Sequence, residues 1–252
     1  MKFENDIAFI SGGLGDIGHE IALQLAKEGA HISVADIQEE TSSKELENKV
    51  IKMGRKFLYV KADLSKAKNV KQWHQKTIEK IGVPNLIIYS SAIVNKVSSF
   101  MEVSEDTWDL EINVNLNSAF YISKVCSQAL IKNNLTGRIV LIGSWAGHRP
   151  HLHIPTYSVA KAGLRMFCQC IAKELAPKGI IVNELAPGYV DAGLSGKFFK
   201  ENPESRESAR ERVPNQLLIS SAEVAEYALY LCDPKNKHMV GSTLLMDGGL
   251  SI

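Results

Sequence analysis

The chain is poor in the features that mark secreted, membrane or nucleic-acid-binding proteins. Only four cysteines occur among 252 residues, Cys126, Cys168, Cys170 and Cys232, which excludes a disulfide-dense secreted scaffold. Cys168 and Cys170 stand two apart on an expected helix and so point to different sides, poor geometry for a disulfide or a metal pair. Reduced thiols in a cytoplasmic protein are expected. No apolar run reaches the length of a membrane span, and Met1-Lys2-Phe3-Glu4-Asn5-Asp6 has no signal-peptide core. Neither charge dominates, with 29 basic residues against 28 acidic ones, so no nucleic-acid surface and no membrane partner are expected. Linkers, repeats and low-complexity tracts are lacking too. Residues 1–252 are therefore expected to form a single domain.

What remains is an alternation of short apolar runs and helical stripes. Ile7-Ala8-Phe9-Ile10 runs into Ser11-Gly12-Gly13-Leu14-Gly15-Asp16-Ile17-Gly18, after which Ile17, Ile21, Ala22 and Leu25 recur at helical spacing up to Gly29. Strand, glycine-rich turn and helix make a phosphate cradle: glycines let the backbone approach a pyrophosphate, whose charge sits at the helix N-terminus. The next strand, His31 to Asp36, ends in an acid about twenty residues past the turn, where a carboxylate holds the ribose hydroxyls of NAD. Further strands are expected at 57–60, 86–89, 138–142, 180–183 and 243–246. A long helix is expected from Ser104 to Asn133, and a short one from Ala222. Residues 192–213 are polar, mixed in charge and without periodicity. The pattern predicts an α/β fold, a doubly wound parallel sheet with helices on both faces. Sites in such folds lie at the C-terminal strand ends, which here carry Gly12, Asp36, Asp63, Ser90, Ser144 and Pro187-Gly188.

Tyr157 and Lys161 are four residues apart on an expected helix and so share a face. A cation beside a phenol favours the phenolate, which makes Tyr157 a candidate acid/base near neutral pH. Such a pair also arises by chance, so its company decides, and Ser144 converges on the same rim.

Together these residues resemble the short-chain dehydrogenase/reductase family over essentially the whole chain. Ser11 to Gly18 is similar to its glycine turn, and Trp108 with Asn115-Leu116 to its helix-borne asparagine motif. Ser144, Tyr157 and Lys161 resemble its catalytic serine and Tyr-x-x-x-Lys. Val182-Asn183, Pro187-Gly188 and Asp247-Gly248-Gly249 resemble its later signatures. The resemblance implies a Rossmann-like fold and an NAD-dependent enzyme interconverting secondary alcohols and ketones. It implies Tyr157 as general acid/base, Lys161 lowering its pKa and holding the nicotinamide ribose, Ser144 on the reacting oxygen, and Asn115 anchoring a relay water. The implied cofactor contacts are Gly12, Gly15, Asp16, Ile17, Gly18, Asp36, Ile37, Asp63, Leu64, Ser90, Ala92, Tyr157, Lys161, Pro187, Gly188 and Val190. A homo-oligomer, tetramer or dimer, packed through the long helices is implied as well. The alternatives are a 3-oxoacyl-thioester reductase and a non-catalytic dinucleotide sensor.

The chain departs from the family's pattern in four places. Asp16 replaces the middle glycine of the turn, where it is expected to cap the helix beginning at Ile17. Ser90-Ser91-Ala92-Ile93 puts an isoleucine at a glycine position, so the backbone there is expected to run differently. Ala192 removes a threonine hydroxyl, and Leu217 stands where arginine is common. The loop between Ser144 and Tyr157 carries His148, Arg149, His151 and His153. It can be read as a chelate, a solvated loop or a reader of anionic substrates; without a nearby carboxylate or cysteine, no metal is expected. Arg165, Arg206, Arg210 and Arg212 read as solvated faces.

Overall fold

The computed structural model describes residues 1–252, the side chain of Lys197 excepted. Seven strands form one sheet: β1 Ile7–Ser11, β2 His31–Asp36, β3 Phe57–Lys61, β4 Leu86–Tyr89, β5 Gly137–Ile142, β6 Ile180–Pro187 and β7 Thr243–Met246. Every pairing is parallel, in the order β3-β2-β1-β4-β5-β6-β7. The order reverses between β1 and β4, which opens a crevice at their C-terminal ends. Central strands are apolar without alternation because both faces are covered. Ile10, Ile88 and Val140 pack on one side; Phe9, Ile87 and Ile139 pack on the other.

Helices α1 Asp16–Lys27 and α2 Lys44–Lys52 cover the first face, together with α9 Ser221–Cys232. The second face takes α3 Ala67–Lys80, the pair α4 Glu105–Ile112 and α5 Ser118–Lys132, and α6 Pro155–Leu175. The fold is the expected Rossmann-like doubly wound sheet. On the second face, Trp73 stacks on Phe9 and donates its indole N–H to the Ser33 hydroxyl at 2.9 Å, so even the polar atom of this large buried ring is satisfied.

Two segments differ from the sequence reading. The helix expected from Ser104 to Asn133 is interrupted by a wider π turn over Asn113–Asn117. Residues 192–213 hold α7 Gly193–Glu201 and α8 Pro203–Arg212. The second is polar nearly all round, with Ala209 buried, and so has no stripe to read. Its proline start and the exposed pairs Arg206–Asp191 and Arg210–Glu207 hold it instead.

The glycine turn connects this scaffold to the crevice. A Cβ on Gly18 would fall 2.3 Å from the Gly12 carbonyl oxygen, so α1 rests directly on the turn. Gly18→Ala forces the two apart and is expected to lower stability by about 1–3 kcal/mol. Urea unfolding checks this, and an unchanged midpoint contradicts the packing described.

Candidate active site

The turn leaves β1 with Gly12 at φ 65°, in the left-handed region that glycine tolerates. The N–H groups of Gly12 and Gly13 donate to the Ala35 carbonyl, at 2.9 and 3.4 Å. Gly15 caps α1 without a side chain, so the first N–H groups of the helix, at Asp16, Ile17 and Gly18, meet no capping oxygen from it. That is a cradle for a pyrophosphate, and it fits the dinucleotide expected. Asp16 does not cap its own helix. It is the first residue of α1, one place past the capping position, and its Oδ2 accepts a 2.7 Å bond from the N–H of Gly193, the first residue of α7. The carboxylate thus caps a different helix, 177 residues downstream.

Asp36 stands at the end of β2, half-buried. Its Oδ2 accepts from Leu14 N at 3.1 Å and its Oδ1 from Gln38 N at 3.3 Å. Ile37 is 70% exposed beside it and lines a hollow with Ala62, Asp63 and Lys61. Asp63 is folded back on Ser65, and Leu64 is buried. Ser90 donates its N–H to the Ser11 hydroxyl, and Ala92 follows half-buried. Pro187 ends β6, Gly188 N bonds Met246 O, and the buried Val190 bridges to Ile219. Apart from the hollow, whose Lys61 and Lys76 no reading of neighbours in sequence could find, these positions lie where strand ends predicted them.

Ser144 follows β5 and is buried; its hydroxyl accepts from Ala146 N at 3.1 Å. Lys161 is 1% exposed, an unusual state for a lysine. Its ammonium donates to the Ile142 carbonyl at 2.8 Å and lies 5.5 Å from the centre of the Tyr157 ring and 5.8 Å from that of Tyr89. Burial pulls Lys161 down to about 8, and Glu184 works against that fall. For Tyr157 the expectation of a lowered value is reversed. Its crowded surroundings push the phenol up to about 12, against the opposing pull of the Ser144 hydroxyl, and Glu111 adds to the rise. The cation is near the ring but spends its hydrogen bond on Ile142.

Asn115 lies in the π turn and is fully buried. Its amide pairs with one residue, accepting from Ile93 N and donating to Ile93 O, both at 2.8 Å. The isoleucine at the glycine position is not among the residues with positive φ, so the loop accepts it without strain. One donor and one acceptor site of the amide are thereby committed to Ile93.

Several participants were missed. Glu111, buried one turn before Asn115, accepts from Asn95 N at 2.7 Å, and burial raises its carboxyl. Glu184 is fully buried in β6. Arg165, read as solvated, is half-buried and shares a 2.9 Å contact with His148 Nδ1. A charge inside an apolar parallel strand or at i+4 from a buried lysine was the available signal.

The side chains of the histidine loop meet neighbours within the fold. His148 faces Arg165, while His151 packs on Trp145. No cluster able to hold a metal occurs among the described residues. Arg149 donates through one nitrogen to the backbone oxygens of Leu250 and Ile252, both at 3.3 Å. Beside Ser144 stands an aromatic wall instead: Trp145 meets Tyr189 at 5.3 Å, and Tyr189 meets Phe199 at 6.4 Å.

This combination of a parallel sheet, a glycine cradle and a rim of buried Ser144 and Lys161 with half-buried Tyr157 defines a class, the dinucleotide-dependent oxidoreductases. A family model described as enoyl-(acyl carrier protein) reductase matches residues 13–251. The acetoacetyl-CoA reductase of Allochromatium vinosum is 30% identical over 246 residues, covering 97% of this chain and 98% of that protein. The L-rhamnose 1-dehydrogenase (NADP(+)) of Thermoplasma acidophilum is 30% identical over 252 residues, covering 100% and 98%. A solved short-chain dehydrogenase/reductase from Serratia marcescens superposes with a TM-score of 0.92 at 25% identity, each chain covered completely. The chain belongs to the short-chain dehydrogenase/reductase family.

The buried ammonium carries a stability consequence. Lys161 titrates at about 8 in the fold against an ordinary 10.5, so below pH 8 the folded chain holds a charge it disfavours. The penalty fades as pH climbs through that window, because the unfolded chain there binds the extra proton. In a Glu184→Gln background, where no buried carboxylate is left unpaired, Lys161→Met is therefore expected to raise stability at pH 7 by about 1–3 kcal/mol, after the lost bond to Ile142 is counted. The gain should vanish above pH 10.5. Denaturant unfolding at both pH values checks it; a destabilised variant at pH 7 contradicts it.

Proposed function

We propose that the chain is an NAD-dependent dehydrogenase or reductase that interconverts a secondary alcohol and a ketone, the whole chain acting as one unit. The observation that carries this reading is the convergence of Ser144, Tyr157 and Lys161 at the end of β5, beside the glycine cradle at the end of β1. The nicotinamide, when bound, supplies or receives the hydride. Gly12, Gly15, Ile17 and Gly18 hold the pyrophosphate, with Asp16 at its edge; Asp36 accepts from the adenosine ribose, and Ile37, Asp63 and Leu64 bound the adenine. Ser90, Ala92, Pro187, Gly188 and Val190 line the nicotinamide end.

In the chemical step Tyr157 gives its proton to the developing alkoxide, or takes one from the alcohol. Ser144 donates to the same oxygen and stabilises its charge. The phenol is a reluctant acid in the free protein, so the step needs Lys161 as an ammonium near it. Lys161 would also hold the nicotinamide ribose, and Asn115 would anchor the water that replaces the proton. The aromatic wall of Trp145, Tyr189 and Phe199 covers the substrate. A second reading, reduction of a 3-oxoacyl thioester, draws support from the acetoacetyl-CoA reductase relative.

The exposed Trp108, Phe120, Val159 and Met166 on α4, α5 and α6 favour a homo-oligomer packed through these helices, a dimer or tetramer. No helix is long and apolar enough to cross a membrane, which agrees with a cytoplasmic enzyme.

Tyr157→Phe removes the proton carrier and keeps the ring. It is expected to cut kcat by at least about 100-fold, the low end of what a positioned acid contributes, while the NADH dissociation constant stays within about threefold. Steady-state kinetics with NADH fluorescence titration decide this; more than a tenth of the wild-type kcat contradicts the role of Tyr157, and binding without turnover in the unsubstituted protein across a carbonyl panel points to a sensor.

Asp36 sets the expected cofactor preference. A 2′-phosphate would meet the carboxylate as a like charge, a repulsion of a few kcal/mol near a surface. Lys61, the register partner of Asp36, returns part of that as an attraction although its ammonium pairs with Glu39. The balance predicts about tenfold higher kcat/KM with NAD than with NADP. Equal efficiency, or the reverse, contradicts the role given to Asp36.

A further inference from the structure

Glu184 has no part in the mechanism above, yet it is the charged group set deepest behind it. It lies in β6 with none of its surface exposed. One carboxylate oxygen, Oε2, accepts from the Thr243 hydroxyl at 2.5 Å; the other, Oε1, is buried without a hydrogen-bond partner. A buried carboxylate with a free oxygen is costly unless positive charge offsets it. The sheet turns it toward that charge. Glu184 pairs in register with Leu141 of β5 and shares its face of the sheet, the face that α6 covers. From α6 come Lys161, Arg165 and the buried thiol of Cys168; from β7 comes the neutral Thr243 hydroxyl.

The meeting point is one peptide. Lys161 donates to the carbonyl of Ile142 at 2.8 Å. The next residue, Gly143, has no side chain, and a Cβ built there would lie 2.0 Å from Glu184 Oε1. Glycine at 143 therefore makes the room in which the carboxylate stands beside the lysine's anchoring peptide. Arg165 carries the arrangement outward to His148 in the loop after Ser144.

We propose that Glu184 is a positioning residue of the reaction: its carboxylate, seated in the space vacated at Gly143, is the interior counter-ion that keeps Lys161 an ammonium. The inference rests on the role given to Lys161 above. Two effects of burial run opposite ways here, lowering the lysine and raising the glutamate, and the mutual attraction of the pair resists both. An ionised Glu184 extends upward the pH range over which Lys161 stays charged.

The test reads the lysine directly, in the cofactor-free protein, by NMR titration of its 13Cε resonance, assigned by its loss in Lys161→Met. Glu184→Gln keeps the shape and the Thr243 contact but removes the charge. The Lys161 midpoint is expected to fall by about 1 pH unit or more, and the alkaline limb of kcat/KM to move with it. Gly143→Ala, which crowds the carboxylate, should shift it in the same direction, and Glu184→Asp should restore part of the wild-type value. An unmoved midpoint in the folded glutamine variant overturns the proposal, whatever its activity. A moved midpoint with an unmoved pH profile supports the counter-ion while removing Lys161 from the chemistry, so the two readings fail separately. Should neither Glu184→Gln nor Gly143→Ala fold, the wild-type protein still decides. Its Lys161 resonance must then report a second, lower inflection from ionisation of Glu184, and a single step overturns the proposal.

Discussion

Taking one ammonium out of water is the constraint on which the rest of this site depends. Lys161 is sealed under the C-terminal end of β5 with a single hydrogen bond to Ile142, two aromatic faces and a buried carboxylate for company. The seal shapes its neighbours. Gly147 is glycine where the loop after Ser144 presses on α6, since a Cβ there would sit 2.8 Å from the backbone carbon of Lys161. Gly143 is glycine where the carboxylate of Glu184 needs its volume. Thr243 and Arg165 then complete the surroundings of that carboxylate from two other elements. Replacing both buried charges, at 161 and 184, by well-packed apolar side chains would make a sturdier protein.

Much of the fold was legible because its signals are local. Apolar runs without alternation mark strands covered on both faces, and glycines punctuate the helices between them. Strand ends then placed Gly12, Asp36, Asp63, Ser144 and Pro187 on one rim before any geometry was known. The spacing of Tyr157 and Lys161 put both on one helix face for the same reason. What escaped were properties of three-dimensional surroundings. The cation beside Tyr157 was visible in sequence, but the crowding that outweighs it was not, so the direction of the phenol's shift came out reversed. Glu184 could have been noticed as a charge inside an apolar parallel strand, a placement that demands a partner. Arg165 read as solvated because the groups it meets, His148 and Glu184, are distant from it in sequence.

Two of the four departures from the family's pattern, Asp16 and Ile93, are absorbed by specific contacts. Asp16 caps α7 across the crevice instead of disturbing the cradle. Ile93 is held by the amide of Asn115 and its loop by the carboxylate of Glu111, in place of the freedom a glycine would give. Arg149 turns toward the backbone of Leu250 and Ile252, and the aromatic wall of Trp145, Tyr189 and Phe199 stands beside Ser144. The changes fall in the glycine turn and in the loops around the rim, while Ser144, Tyr157 and Lys161 keep the family's pattern.

The central claim is that crowding, rather than the charge of Lys161, governs Tyr157 before a cofactor arrives, so the free protein holds a neutral phenol ready to donate. Ultraviolet titration of the phenolate band in the cofactor-free protein, taken as the difference between the unsubstituted chain and Tyr157→Phe, measures this directly. The account predicts that Tyr157 contributes no phenolate below pH 10, the ordinary tyrosine value, its own midpoint lying near 12. A phenolate step near neutral pH, absent from the phenylalanine variant, would contradict it and return control of the tyrosine to the lysine beside it.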